Sequence, residues 1–245
     1  MTAAITAGGR VNGPLAAAMG TNVKALAPLG GGKLIDRAIE AARAAGARRI
    51  TVIGDGEIRA HCADQVDEII AASPDGRENL RLAIERGAAE PLLLMTSDLP
   101  FITGEATRNF LARAAASDLA LPLASELAYT RAYPGAPDHI TALGNARVAN
   151  GSIVYFAAGV APRVLDVSQR LFAARKSLWR MAILLGPHLL ARFALRKLEI
   201  EHLERRAERL FGICARAVYD ASPALCFDID TIDDYRYALE HLATG

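Results

Sequence analysis

The sequence predicts a three-layer α/β/α fold, in which helices cover both faces of a mostly parallel, mixed β-sheet. Short apolar runs without polar alternation recur along the chain, as is typical of strands buried on both faces. Segments with the apolar spacing of helices separate these runs, which is the order of repeated β-α-β units. Of the 245 residues, 52% are hydrophobic and 22% are charged, so the chain can bury a sizeable core.

The first half of the chain contains the clearest elements. Its first apolar run stops at Ala7-Gly8-Gly9, as a buried strand does at a phosphate-binding turn. A long loop then leads to a helix that Gly46 can terminate. The predicted strands are 3–6, 49–53, 92–95 and 119–123, and the predicted helices are 34–45, 77–86 and 105–115.

The second half is less regular, because glycines and prolines interrupt it. The predicted elements are loops and short strands over 125–152, a strand at 153–157, a helical block over 162–211 that breaks at Gly186-Pro187, a strand at 215–219 and a helix at 232–242. We expect one domain over 1–245, with a helical insertion at 125–211 that forms a cap or substrate lobe. The apolar segment 181–195 predicts core packing or a homodimer surface.

Composition disfavours several classes of protein. A formal net charge of +1 provides no field that would attract nucleic acid. Cys62, Cys214 and Cys226 are widely spaced and form no CxxC pair, so a reducing cytosol fits them better than a zinc site or a disulfide framework. No signal peptide is visible. The most apolar stretch, 178–195, is interrupted by charged residues and Pro187, so we expect a cytoplasmic protein without a membrane span.

Three separated segments carry residues suited to one kind of chemistry. The first is Ala7-Gly8-Gly9-Arg10 together with Lys24. Glycines allow backbone N–H groups to approach phosphates closely, and a lysine adds a point charge for a triphosphate. Taken alone, a Gly-Gly pair after a strand is more often simply a turn. The P-loop pattern GxxxxGK[ST] is absent.

The second segment is Ser97-Asp98-Leu99-Pro100, which follows the most apolar strand. Ligands of open α/β sheets bind outside the carboxyl ends of the strands. An unpaired carboxylate placed there by a buried strand is costly unless something compensates it. A magnesium ion, held by carboxylates and substrate phosphates, is the partner we favour for Asp98. The alternative is that Asp98 caps the following helix.

The third segment runs from Asp228 to Asp234. Thr231 is a good helix cap, and Asp233 and Asp234 suit the positive end of a helix. Capping does not explain Asp228 and Asp230, which alternate on an extended stretch and therefore point the same way. Of these two, Asp230 is the better candidate for a second magnesium ligand.

In these residues the sequence resembles the MobA-like NTP transferases, the group of the molybdenum-cofactor nucleotidyltransferases. The resemblance implies a Rossmann-like fold of the glycosyltransferase-A type. It is best at the start of the chain, weaker near the end and poor in the middle. The matching motifs are Ala7-Gly8-Gly9-Arg10, Met19-Gly20 with Lys24, the run 25–29, Gly32-Lys33-Leu34-Ile35, Asp98-Leu99-Pro100-Phe101, and Asp228-Ile229-Asp230-Thr231 with Asp234.

The resemblance also implies an activity: transfer of a nucleoside monophosphate from an NTP to a phosphate-bearing small molecule, with Mg²⁺ as cofactor. Catalysis then consists of positioning and charge neutralisation by Lys24, Arg10 and the ion at Asp98, since an acceptor phosphate is already a nucleophile. The family assigns the nucleotide to Ala7, Gly8 and Gly9, the triphosphate to Arg10 and Lys24, the nucleoside to Asn79, and Mg²⁺ to Asp98 and Asp230.

The sequence departs from the family pattern at several positions. Ala18 stands where the family has an arginine just before Met-Gly, which leaves Arg10 and Lys24 to neutralise the phosphates. The usual proline after Gly32-Lys33 is missing, and Ile232 replaces another. The lost arginine motivates one rival function, a nucleotide-binding regulator whose catalytic power has decayed.

A second rival is a nucleotide-sugar glycosyltransferase of the same fold, in which a DxD motif binds the metal. Asp228-Ile229-Asp230 has that form but lies late in the chain, which disfavours the glycosyltransferase.

Other features of the sequence have simpler interpretations. Asn150-Gly151-Ser152 reads as a turn, and Arg175-Lys176 with Trp179-Arg180 as a solvated helix start rather than a grip on an acceptor phosphate. The histidines show no metal-ligand spacing and read as surface or capping residues: His61, His139, His188, His202 and His241.

Overall fold

The computed structural model covers most of the chain. It describes residues 1–86, 89–144, 146–165, 177, 186–195 and 197–243. Much of the predicted helical block 162–211 lies outside the described residues, as do Arg175, Lys176, Trp179 and Arg180. The prediction of a cap at 125–211 therefore stays a prediction.

Strands and helices alternate through the first 125 residues. The strands are β1 (Thr2–Thr6), β2 (Pro28–Leu29), β3 (Gly32–Lys33), β4 (Arg49–Gly54), β5 (Glu68–Ala71), β6 (Leu92–Thr96), β7 (Leu119–Ser125), β8 (Ile140–Leu143), β9 (Ala146–Asn150), β10 (Ile153–Phe156) and β11 (Ala215–Val218). The helices discussed below are α1 (Gly13–Met19), α2 (Leu34–Ala44), α3 (Gly56–Cys62), α4 (Gly76–Glu85), α5 (Gly104–Ala114), α6 (Glu126–Ala132), α7 (Pro187–Ala194), α8 (Ile200–Phe211) and α9 (Ile232–Ala243).

Nine of the strands among the described residues form one mixed sheet, in the order β5-β4-β1-β6-β10-β7-β9-β8, with β11 paired to β7. The strands β5, β4, β1 and β6 are parallel to one another, whereas β9 and β10 run against both of their neighbours. The two remaining strands, β2 and β3, form a separate hairpin. The predicted mixed, mostly parallel sheet is thus confirmed.

Alternation along β1 shows how the sheet separates two layers of core. Ala3 and Ile5 are fully buried in a cluster that includes Leu34 of α2. Ala4, between them, belongs to a second cluster that includes Ile84 of α4. Because successive side chains of a strand point to opposite faces, the two clusters lie on the two sides of the sheet. Helices cover both faces, as the continuous apolar runs predict.

The sequence analysis overlooked a helix near the start of the chain. It predicts a long loop before Leu34, whereas the structure forms α1 there. This helix carries no charged residue in either terminal turn and no side-chain cap, so the usual boundary signals are missing. Its Gly13-Pro14 start reads as a loop, although proline is well tolerated in the first turn of a helix.

Two further findings concern the cysteines and the apolar helices. The three cysteines are free, and burial raises the pKa of Cys62 to about 11 and that of Cys226 to about 12. Thiols with such values are unreactive at neutral pH. No helix among the described residues is long and apolar enough to cross a membrane.

Helices α2 and α5 pack closely at Gly104, the first residue of α5, and this contact generates a stability prediction. A Cβ added at Gly104 would overlap Ala44 Cβ and lie 3.4 Å from Ala44 Cα. We expect Gly104→Ala to lower the free energy of unfolding by about 1–3 kcal/mol, because an overpacked contact forces backbone shifts. Chemical denaturation of the purified protein measures the loss.

The matched control is Gly56→Ala at the first residue of α3, where an added Cβ meets no atom within 4 Å. This substitution should change stability by less than about 0.5 kcal/mol or raise it slightly, since it only restricts the unfolded chain. Equal effects of the two substitutions would contradict the close α2–α5 contact.

Candidate active site

The predicted residues of β1 and β6 meet at one edge of the sheet. The two strands are parallel neighbours, with Thr6 opposite Thr96. Ala7-Gly8-Gly9 therefore leaves the sheet beside Asp98, and Ser97 donates its N–H to the Thr6 carbonyl at 3.2 Å. This is the carboxyl edge, where open α/β sheets bind ligands.

A cavity of about 730 Å³ opens at this edge. Its walls come from the ends of β1 and β6, from the loop after β5 and the start of α4, and from the junction of β9 and β10. Ala7 does not line the cavity: it is buried, and its N–H is bonded to the Ile53 carbonyl at 2.8 Å. The predicted residues that do line the cavity are Gly8, Gly9, Arg10, Lys24, Asn79 and Asp98.

Gly8 is required by the close approach of the loop that follows β5. A Cβ at position 8 would lie 2.7 Å from Ala72 Cβ and 3.4 Å from Asn79 Nδ2. Asn79 holds that loop: its Oδ1 accepts the Ser73 N–H at 2.7 Å and its Nδ2 donates to the Ser73 carbonyl at 2.9 Å. Asn79 therefore shapes the cavity wall as well as facing it.

Lys24 joins three distant parts of the chain. Its backbone N–H is bonded to the Gly9 carbonyl at 3.1 Å, which places it beside the glycines. Its ammonium group lies 2.6 Å from Asp98 Oδ2 and 2.9 Å from Asp230 Oδ1. Burial lowers the pKa of Lys24, but the two carboxylates outweigh burial and raise that pKa above its ordinary value. The ammonium group is therefore charged at neutral pH.

Three carboxylates converge next to Lys24. Oxygen atoms of Asp98, Asp228 and Asp230 all lie within 4.8 Å of one another. Oδ1 of Asp98 is buried and has no hydrogen-bond partner among the described residues. An unpartnered buried carboxylate oxygen within a set of oxygen donors fits a hard divalent cation such as Mg²⁺ or Mn²⁺.

The alternative role of Asp98, as a helix cap, is wrong. The cap of α5 is Thr103, whose Oγ1 accepts the Ala106 N–H at 3.1 Å. The carboxyl group of Asp98 instead points at Lys24, and its backbone carbonyl accepts the Ile229 N–H at 3.1 Å. That backbone bond holds the segment bearing Asp228 and Asp230 against the end of β6.

Asp228 has partners that the sequence analysis missed. Ser152 Oγ donates to its Oδ2 at 3.2 Å, and His139 Nδ1 lies 3.4 Å from its Oδ1. Burial raises the pKa of Asp228, but His139, Lys24 and Ser152 outweigh it and hold the pKa below its usual range. The sequence analysis preferred Asp230 to Asp228 as a metal ligand. In the structure, both residues belong to the same carboxylate cluster.

His139 bridges two aspartates, so its interpretation as a surface or capping residue is wrong. Only 15% of its side chain is exposed, and its Nε2 lies 2.9 Å from Asp234 Oδ1. Contacts with Asp228 and Asp234 raise the pKa of His139 to about 9, against the opposing effect of burial. The imidazole is therefore charged at neutral pH.

The cap predicted for the last helix is confirmed. Thr231 Oγ1 accepts the Asp234 N–H at 3.2 Å, and Asp234 Oδ2 accepts the backbone N–H groups of Asp230 and Thr231 at 3.0 and 2.6 Å. Asp234 is thus a capping residue at one oxygen and a partner of His139 at the other. It links α9 to the carboxylate cluster.

Arg10 lies at the rim of the cavity and is not directed at the carboxylate cluster. Its guanidinium forms ion pairs with Asp55 and Glu57 and donates to Asn22 Oδ1 at 2.8 Å. Hydrogen bonding to Glu57 and the charge of Asp55 raise the pKa of Arg10 further. The position of the missing family arginine, Ala18, is exposed on α1.

The prediction of a turn at Asn150-Gly151-Ser152 is wrong, because β9 and β10 on either side both run antiparallel to β7. Gly151 and Ser152 interrupt the strand pairing with β7, and the chain runs in the same direction before and after them. A Cβ at Gly151 would overlap the ring of Pro122, which explains the glycine. Gly151 and Ser152 line the same cavity as Gly8 and Gly9, the glycines that follow β1.

Comparison with protein families gives one match that covers most of the chain. The family model of the MobA-like NTP transferase domain matches residues 3–210. No curated protein is a significant match to the sequence.

Solved structures agree with this match. A structure from Thermus thermophilus, described as a hypothetical transferase, is 26% identical, with a TM-score of 0.84 over 95% of this chain and 98% of its own. Two others share the fold at lower identity. Rv0371c of Mycobacterium tuberculosis, in complex with manganese, is 18% identical, with a TM-score of 0.55 over 98% of this chain and 97% of its own. CMP:2-keto-3-deoxy-manno-octonic acid synthetase, in complex with CTP, is 15% identical, with a TM-score of 0.59 over 99% of this chain and 98% of its own.

The contact at Gly8 predicts a stability loss that a second substitution relieves. Gly8→Ala should lower the free energy of unfolding by about 1–3 kcal/mol, because its Cβ would collide with Ala72 Cβ. Adding Ala72→Gly removes the collision and should recover part of the loss. Gly9→Ala is the control, since its Cβ meets only Lys24 Cβ, at 3.9 Å. Denaturant melts that show no recovery in the double variant would contradict this packing.

The raised pKa of His139 predicts a pH-dependent contribution to stability. A pKa that is higher in the folded than in the unfolded protein stabilises the fold fully below the unfolded value of about 6.5. This contribution should decline between that pH and about 9, and be absent above it.

The measurement is the unfolding free energy of wild type minus that of His139→Asn, taken from pH 6 to pH 10. We expect a difference on the order of 1–3 kcal/mol at pH 6 that shrinks toward pH 10. His188→Asn controls for the loss of an exposed histidine. A difference that is constant over this pH range would show that the bridge between Asp228 and Asp234 does not depend on the charge of His139.

Proposed function

The chain belongs to the MobA-like NTP transferase family, and we propose that it transfers a nucleoside monophosphate from an NTP to a phosphate-bearing small molecule, with release of pyrophosphate. One observation carries this proposal. The unpartnered oxygen of Asp98 belongs to a cluster of three carboxylates, and Asp98 also lines the cavity that Gly8 and Gly9 line. This arrangement suits a divalent cation and a polyphosphate together, and the family supplies the reaction class.

The cavity has room for a nucleotide. Its volume of about 730 Å³ lies in the range of small-molecule sites. We assign the triphosphate to Gly8 and Gly9, where no side chain blocks the backbone, with Lys24 as the adjacent positive charge. The loop at Ser73, held by Asn79, forms the wall on the nucleoside side. Arg10 would have to leave Asp55 to reach the phosphates.

We assign Mg²⁺ to Asp98 and Asp230. We add Asp228 to this proposed set, because its carboxylate oxygen lies within 4.8 Å of theirs. A bound divalent ion would neutralise charge on the phosphates and polarise the phosphoryl group under attack. Lys24 already holds one oxygen of Asp98 and one of Asp230, so this side chain keeps the two carboxylates aligned. Manganese in the Rv0371c structure is consistent with a divalent ion in this fold.

The reaction needs little from the protein beyond placement. An oxygen of the acceptor phosphate forms a bond to the α-phosphorus of the NTP, and the bond from that phosphorus to the α,β-bridging oxygen breaks. The electron pair leaves on pyrophosphate. Because the acceptor is anionic at neutral pH, no side chain has to remove a proton. The task of Lys24 is to offset the negative charge that gathers at the reacting phosphates.

We place the acceptor on the side of the cavity formed by Gly151 and Ser152, within the predicted substrate lobe 125–211. Ser152 contacts Asp228, so an acceptor bound there would lie next to the proposed metal ligands. CTP in the structure of CMP:2-keto-3-deoxy-manno-octonic acid synthetase supports an NTP as the donor. The widely spaced cysteines and the proposed use of NTPs are consistent with a cytosolic location for the protein.

The test is thermal stability with ATP, CTP, GTP and UTP, with and without Mg²⁺. An NTP at 100 times its Kd should stabilise the wild type by about 2.7 kcal/mol, which corresponds to roughly 5–10 °C in Tm. We expect one base to dominate, and the shift to require Mg²⁺. Asp98→Asn should abolish the Mg²⁺-dependent part.

Asp233→Asn is the matched control, because it also removes one negative charge but lies outside the cluster, with 73% of its side chain exposed. It should bind like wild type. A shift that ignores both Mg²⁺ and Asp98 would contradict the proposed metal site and would favour a nucleotide-binding regulator. Turnover of a UDP- or GDP-sugar without pyrophosphate release would favour a glycosyltransferase instead.

A further inference from the structure

A second cavity, of about 330 Å³, lies between α7 and α8. It shares no lining residue with the cavity at the sheet edge. Six of its eight lining residues are arginine or histidine, and none is acidic. The lining residues are Gly186, His188, Leu189, Arg192, His202, Arg205, Arg206 and Arg209.

The spacing of these side chains makes them converge on the cavity. His202, Arg205 and Arg209, with Arg206 beside them, follow the i, i+3, i+4, i+7 pattern of one helix face. On α7 the pair at 188 and 192 is four residues apart, and Arg192 Nε lies 3.0 Å from His188 Nε2. Two helix faces of the same charge thus meet across one cavity.

The acidic residues of α8 do not neutralise this face, because they are bonded toward β11. Glu208 pairs with Arg216, and Glu204 accepts the Ala217 N–H at 2.7 Å. Glu201 Oε1 lies 3.3 Å from the Tyr219 hydroxyl. Glu199 Oε2, just before α8, lies 3.8 Å from His202 Nδ1.

Three of the four cavity arginines consequently lack an acidic partner. Within the part of the chain that the structure describes, Arg192, Arg205 and Arg209 form no ion pair. Like charges gathered without a counter-charge repel one another and destabilise the fold unless an anion joins them. The cavity therefore has the charge of an anion site.

The amino-acid sequence that leads into α7 and on toward α8 has the same bias. Residues 167–198 contain no aspartate and no glutamate, although the whole chain has 27 acidic residues and a net charge of only +1. The same stretch contains seven lysines and arginines: Arg170, Arg175, Lys176, Arg180, Arg192, Arg196 and Lys197. Positive charge is therefore concentrated in this stretch of the sequence rather than spread evenly along the chain.

We propose that the cavity between α7 and α8 binds a phosphate-bearing anion. Guanidinium groups match phosphate oxygens with paired, charge-assisted hydrogen bonds, which lysine cannot form in the same geometry. The phosphate could be carried by a free small molecule or by a lipid headgroup. Phe193 and Leu195 beside the cavity are 46% and 67% exposed, an apolar margin that suits a headgroup with its acyl chains. This site is independent of the proposed nucleotidyl transfer.

The experiment measures binding of inorganic phosphate by calorimetry at low ionic strength, and co-sedimentation with vesicles of phosphatidylglycerol or phosphatidylcholine. The test variant is Arg205→Glu with Arg209→Glu. Its matched control is Arg131→Glu with Arg236→Glu, which changes the net charge equally at two exposed helix arginines outside the cavity. Melting curves, and the milder pair Arg205→Gln with Arg209→Gln, guard against misfolding.

We expect wild type and control to bind phosphate, or anionic but not neutral vesicles, and the test variant to lose at least about tenfold in affinity. Phosphate binding identifies a free ligand, and vesicle binding identifies a headgroup. Equal binding by test and control variants, or no binding of either probe to wild type, overturns the proposal. Asp98→Asn should bind as wild type does, so failure of the proposed transfer reaction would not be mistaken for failure here.

Discussion

The ammonium group of Lys24 is the contact on which the site depends. It joins Asp98, 74 positions away in sequence, to Asp230, 206 positions away, at the end of β6. Carboxylates held this close repel one another, and removing them from water costs several kcal/mol each unless cations compensate. Lys24 and His139 supply two positive charges against the acids gathered there, and a divalent ion would complete the balance. The charges that hold these side chains together are therefore also suited to a divalent cation.

Backbone hydrogen bonds explain why the side chains can hold these positions. Lys24 is bonded to Gly9, Ser97 to Thr6 and Ile229 to Asp98, so each charged segment is fastened to the end of a buried strand. Side chains mounted on such a frame lose little further freedom when a ligand binds, which favours affinity. The glycines at positions 8 and 151 belong to the same frame, because each allows two backbones to approach where a Cβ would collide.

The sequence predicted those parts of the site that directly follow buried strands. Buried strands placed Gly8 and Asp98 at the same edge, because apolar runs predict parallel strands and parallel strands share their carboxyl edge. His139 could not be found this way. It lies 95 residues from Asp234 in a region of loops, and no periodicity links the two. Helix α1 was missed for a related reason, since its Gly-Pro start and uncharged ends carry no capping signal.

The distance in sequence between Lys24 and Asp230 has a consequence for how the protein is made. Contacts between residues so far apart close very large loops, and such contacts form late in folding. A nascent chain can assemble β1, β4 and β6 early, yet its carboxylate cluster remains incomplete until residues 227–234 have been synthesised and have docked beside β6. Until then Asp98 lacks its acidic neighbours. Chelation of a divalent ion by all three carboxylates, as proposed, would thus be confined to the finished molecule, because a partly synthesised chain would offer the ion one carboxylate instead of three.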